Sequence, residues 1–93
     1  MKKITVNVTF TGATGGQAHV VIQSASSNFS YDVNGATAPD HRDFHVTVGL
    51  YTVKVHGSTG GSCKLAVTGD VDQPINASAK GPNIFIQQQF IVQ

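Results

Sequence analysis

The sequence predicts an all-β chain, a two-layer antiparallel β-sandwich of about seven or eight strands in a single domain over residues 1–93. Three observations predict it. Apolar and polar residues alternate with a period of two through most of the chain, the period at which a strand returns side chains to one face. Glu is absent and Leu occurs only twice, against many Val, Thr and Ile, a balance that favours strands over helices. Gly- and Ser-rich punctuation separates runs of strand length, and no helical stripe or internal repeat appears.

Taken in order, Lys3 to Phe10 is the first strand, with Ile4, Val6, Val8 and Phe10 inward and Thr5, Asn7 and Thr9 outward. Thr11 to Gly16 is a turn or short loop. Gln17 to Ser24 is the second strand, with Ala18, Val20 and Ile22 on one face, and Ser24 to Ser27 breaks it. Asn28 to Val33 is the third, with Phe29, Tyr31 and Val33 together, followed by an Asn34-Gly35 turn signal. The segment to Arg42 contains Pro39 and reads as an irregular crossing between sheets.

Phe44 to His56 alternates on both sides of Gly49-Leu50. A two-residue type II′ turn there makes a hairpin that sets Val48 opposite Tyr51, Val46 opposite Val53 and Phe44 opposite Val55. On the outer face it sets His45 opposite Lys54 and Asp43 opposite His56. Gly57 to Ser62 then reads as a flexible loop, Cys63 to Thr68 as a strand, and Gly69 to Pro74 as a polar loop. Ile75 to Ala79 is a short strand of small residues, placed at an edge, and Lys80 to Asn83 turns into the last strand, Ile84 to Val92.

The run Val46-x-Val48-Gly49-x-Tyr51-x-Val53-x-Val55 resembles the strand–Gly–x–Tyr–strand signature of prealbumin-like β-sandwich modules of the carboxypeptidase regulatory-like type. Val48 stands where those modules usually have Pro. The resemblance covers residues 44–56 and implies a prealbumin-like or Ig-like sandwich that spaces, supports or binds without catalysis. It implies no site residues. A purine-ring hydrolase of the prealbumin fold carries His and Arg motifs that this chain lacks.

Composition narrows the function classes. Charged residues are 12% of the chain, the net charge is +1, and the six basic residues are scattered. Nucleic-acid binding needs a concentrated basic patch. The single cysteine, Cys63, excludes an internal disulfide and zinc sites built from cysteine pairs. Its alternation with Leu65 and Val67 reads as a core thiol. Met1-Lys2-Lys3 resembles the start of a bacterial secretion signal, but Thr5, Asn7 and Thr9 interrupt any apolar core. The expected location is therefore cytoplasmic, or extracytoplasmic or surface-associated if a signal has been removed. No stretch is long and apolar enough for a membrane span.

Candidate chemistry is sparse, and no cofactor is expected. Asp43 and His56, with His45 diagonal, would offer a zinc or other transition-metal site, against the plainer reading of a solvated cross-strand charge pair. Asp70 and Asp72 lie in a loop, as calcium ligands often do, but Pro74 follows and no later Glu completes the pattern. The Gly57–Lys64 stretch has the composition of a phosphate loop but leads into a strand. No Ser sits in a Gly-x-Ser-x-Gly elbow. Sugar binding would want exposed aromatics, and only Phe85 is unaccounted for. Three Asn-x-Ser/Thr matches, at Asn7, Asn28 and Asn76, read as chance.

The expected function is therefore a non-catalytic structural or interaction module, such as a surface or assembly protein. The competing reading is a metal-binding sandwich. The last strand carries Ile84, Ile86, Phe90 and Val92 on one face and Phe85 and Ile91 on the other. Phe85 and Ile91 are thus the expected interaction residues, used for a protein partner or for self-association through this strand.

Overall fold

The computed structural model describes residues 1–12, 16–34 and 40–93. Eight antiparallel strands run through them: β1 (Lys2–Thr11), β2 (Gly16–Gln23), β3 (Asn28–Asn34), β4 (Asp40–Val46), β5 (Gly49–Thr59), β6 (Ser62–Gly69), β7 (Ile75–Lys80) and β8 (Asn83–Val92). No helix occurs among the described residues. The strands form two four-stranded sheets, ordered β4-β1-β6-β7 and β3-β2-β5-β8, called A and B below. The all-β two-layer sandwich read from the alternation is what the chain forms. The Asn34-Gly35 turn signal and Pro39 fall partly or wholly outside the described residues.

The inward set follows the alternation. Ile4, Val6 and Val8 of β1 and Leu65 and Val67 of β6 face Val20, Ile22, Tyr51, Val53 and Val55 of sheet B, all essentially solvent-free. Cys63 joins this core as expected, and burial pushes its thiol pKa up.

The central hairpin does not form. β4 pairs with β1 in sheet A, with Ile4 opposite Phe44 and Lys2 opposite Val46. β5 belongs to sheet B, between β2 and β8. Thr47-Val48 therefore switches sheets. Three Cα–Cα steps from Val46 to Gly49 reach at most ~11 Å, about the ~10 Å between packed sheets. Gly49 has φ +150°, and Val48, expected opposite Tyr51, is 64% exposed. The Tyr51 hydroxyl donates to the Thr47 carbonyl at 3.0 Å and ties this corner to the core. A hairpin and a sheet-switching corner both place Val46 and Tyr51 inward, so the alternation does not distinguish them.

The Gly57 loop is also corrected, because β5 continues through Gly57 to Thr59. Gly57 lies opposite Ala18, and a Cβ there would overlap the Gln17 carbonyl oxygen. The glycine permits close strand contact rather than flexibility.

The polar loop after β6 is ordered by its own hydrogen bonds. Asp70 accepts from the Lys3 amide at 3.0 Å through Oδ2, and the Asp70 amide donates to the Lys3 carbonyl at 3.0 Å. The Asp72 amide donates to the Ile91 carbonyl at 2.9 Å, and the Ile91 amide donates to Asp72 Oδ1 at 3.1 Å. This clamp joins β1 of one sheet to β8 of the other.

Candidate interaction surface

Edge strands expose backbone donors and acceptors, and sandwiches manage them with charge, shortness or cover. Edge strand β4 carries Asp40, Arg42 and Asp43, and β3 is seven residues long with Asp32 in it. The two also seal against each other. Phe44 packs 5.5 Å from Phe29 and 5.8 Å from Tyr31 between ring centroids, and Arg42 lies 4.1 Å over the Tyr31 ring. The Tyr31 hydroxyl is buried without a hydrogen-bond partner, and burial raises its pKa. β7 is an edge, as expected, and is protected by its six-residue length and Lys80.

The fourth edge, β8, is different. It is ten residues long and carries no charged side chain. The Ile91 amide and carbonyl both point away from β5, toward the Asp72 clamp. In an antiparallel ladder the groups of alternate residues point the same way. The amides and carbonyls of Gln89, Gln87 and Phe85 therefore also point outward, and among the described residues no backbone hydrogen bond reaches them. Beside this edge, Gln88 and Gln89 border a cleft of about 270 Å³ against Gln73, Pro74, Ile75 and Asn76. Gln88 sits at an inward position opposite Val53 yet is exposed, so the sandwich opens here. Phe85 and Ile91 point outward as expected, 62% and 45% exposed.

The outer face of sheet B holds a second feature. Asp32, His19, His56 and Phe85 form one row across β3, β2, β5 and β8. His19 Nδ1 lies 2.7 Å from Asp32 Oδ1, and the two imidazole centroids are 5.4 Å apart. A groove of about 370 Å³ runs over His19, Asp32, Asn34, His56 and Ser58. The His19–Asp32 pair was legible in principle. A hairpin folded at Ser24–Ser27 pairs Gln23 with Asn28, and counting back brings His19 to Asp32. No Ser or Cys is hydrogen-bonded to either imidazole among the described residues.

The expected metal candidates do not assemble. Asp43 and His45 lie on the outer face of sheet A, opposite Thr5 and Lys3, while His56 is on the far face of sheet B. The Thr5 hydroxyl donates to Asp43 Oδ1 at 2.7 Å, and Lys3 Nζ and His41 Nε2 each lie 3.5 Å from that carboxylate. The Thr5 hydrogen bond, with help from Lys3 and His41, holds the Asp43 carboxyl below its ordinary pKa against the opposing effect of desolvation. Asp70 and Asp72 each use a carboxylate oxygen on a backbone amide. Among the described residues no three His, Cys, Asp or Glu side chains form a group that could hold a metal ion.

The architecture is a sandwich of two antiparallel four-stranded sheets, a shape consistent with Ig-like and prealbumin-like domains in general. No known family model, no curated protein and no solved structure matches the chain.

Proposed function

We propose that this chain is a non-catalytic interaction module, of the kind found in surface or assembly proteins, and that it docks extended polypeptide onto the β8 edge. The observation that supports this reading is the free ladder at Phe85, Gln87 and Gln89, uncharged and flanked by an exposed aromatic ring. Strand addition takes its affinity from main-chain hydrogen bonds and its selectivity from alternate side chains. The prealbumin-like resemblance points to the same supporting role. The sandwich supplies a rigid backing, because β8 is laddered to β5 along nearly its whole length.

A synthetic peptide of the Asn83–Gln89 sequence is the probe. Titrated into the labelled protein at a dilution where the chain is monomeric, it should shift the backbone amide signals of Phe85, Gln87 and Gln89, and Gln87→Pro should abolish those shifts. The Gln87 amide takes no part in the β5 ladder, so proline there removes only an outward donor. Shifts confined to another surface, or none, would count against the reading.

A further inference from the structure

We infer that the natural occupant of the β8 edge is a second copy of this chain, paired antiparallel about a two-fold axis at Ile86; the inference rests on the edge reading above. The free window limits the register. It begins after Pro82 and ends where the Asp72 clamp occupies Ile91. Outward-pointing residues must meet outward-pointing residues, so odd positions pair with odd positions.

Centring the pair on Gln87 would bring Asn83 onto the clamped Ile91 of the second copy. Centring it on Ile86 keeps the pairing inside the window. Asn83 then meets Gln89 of the second copy and Phe85 meets Gln87, each pair exchanging both of its backbone hydrogen bonds. In this register the two Phe85 rings are diagonal neighbours at about 7–8 Å, within reach of aromatic side chains. Centring on Gln87 instead places the rings four residues out of register.

Phe85 is the largest solvent-exposed side chain of β8. Centring on Phe85 would also bring the two rings together, but it leaves Gln89 opposite Gly81, before the window begins. The Ile86 register is therefore the one that pairs all four outward residues, Asn83, Phe85, Gln87 and Gln89, inside the window. No charge lies on either strand to oppose the approach. The product is a continuous eight-stranded sheet made from two copies of sheet B. It also closes the assembly, because a two-fold contact uses the same edge in both copies. The remaining edges are charged, short or sealed, so growth stops at two.

Multi-angle light scattering over a concentration series tests this on wild type, Gln87→Pro, Phe85→Lys and, as a control, Val48→Lys at the sheet-switching corner. Wild type should reach about twice the 9.7 kDa chain mass at high concentration, and so should Val48→Lys. Gln87→Pro and Phe85→Lys should remain monomeric, or dimerise at least ~10-fold more weakly. Thermal melts show which variants are folded, and Phe85→Lys decides the matter if the proline variant is not. Wild type that stays monomeric, a dimer indifferent to Phe85→Lys, or open-ended growth would each overturn the inference. If wild type is monomeric while the Asn83–Gln89 peptide still shifts the β8 amides, the edge reading survives and only the second copy is lost. If the peptide also fails, both are lost.

Discussion

The two long sides of this sandwich treat the same physical problem differently. Where β3 and β4 form the sheet edges, Phe29, Tyr31 and Phe44 fill the gap between layers, Arg42 caps the Tyr31 ring, and charge lines the rim. Where β7 and β8 form them, the inner residues of β7 are Ile75, Ala77 and Ala79, and Gln88 stands at an inward position yet remains in solvent. Large rings close one side, while small side chains leave a cleft along the other. The first side is built to hold the sheets together, and the second leaves a long neutral edge open to pairing.

The largest expected effect is on the closed side. Phe44→Ala removes the ring that touches both Phe29 and Tyr31, and should cost about 2–4 kcal/mol in a denaturant melt, at the lower end of aromatic truncations because the site is half-buried. It should leave association through β8 unchanged in the folded fraction. A loss of both stability and dimer would show that the two sides are not independent. Next is Gly49→Val at the corner. A β-branched residue at φ +150° should cost about 1–3 kcal/mol, although beyond its own chain neighbours nothing lies within 4 Å of the site of a new Cβ. A neutral result would contradict a strained corner.

Asp72→Ala follows, at about 1 kcal/mol for the lost Ile91 amide acceptor. It also sharpens the contrast, because freeing Ile91 lengthens the open edge. Chemical shifts of Ile91 and a broader distribution of associated species should report it. The smallest effect is Thr5→Val, which should move the Asp43 pKa back up toward the ordinary carboxylate value in an NMR titration. The sign follows from a lowered folded pKa. The favourable charged form is fully present above the unfolded value and is lost as pH falls through the folded one. An unmoved Asp43 would mean that Lys3 and His41, rather than the hydroxyl, set its pKa.

Much of the architecture was legible. Alternation assigned the inward faces of β1, β5 and β8, placed Cys63 in the core, and left Phe85 and Ile91 outside. Alternation specifies a face, however, and not a neighbour. Phe44–Val46 and Tyr51–Val55 carry the right pattern for a hairpin and equally for opposite layers, so the pattern alone sets Asp43 beside His56, whereas the two lie on opposite outer faces. The Asp70–Asp72 clamp was hidden for another reason. Its hydrogen bonds run to Lys3 and Ile91, far away in sequence, and no local motif announces them. The unlike treatment of the two sides was partly readable, since the charge on β4 and its absence from β8 are sequence facts.

The most direct measurement of the central claim is backbone amide hydrogen exchange at Phe85, Gln87 and Gln89 as a function of protein concentration. Their inward-paired neighbours Ile86 and Phe90 serve as internal references. An edge that pairs with a second copy gives slow exchange at Phe85, Gln87 and Gln89 in concentrated solution and fast exchange on dilution, with Ile86 and Phe90 protected throughout. Fast exchange of the outward amides at every concentration, or protection that does not change on dilution, would contradict it.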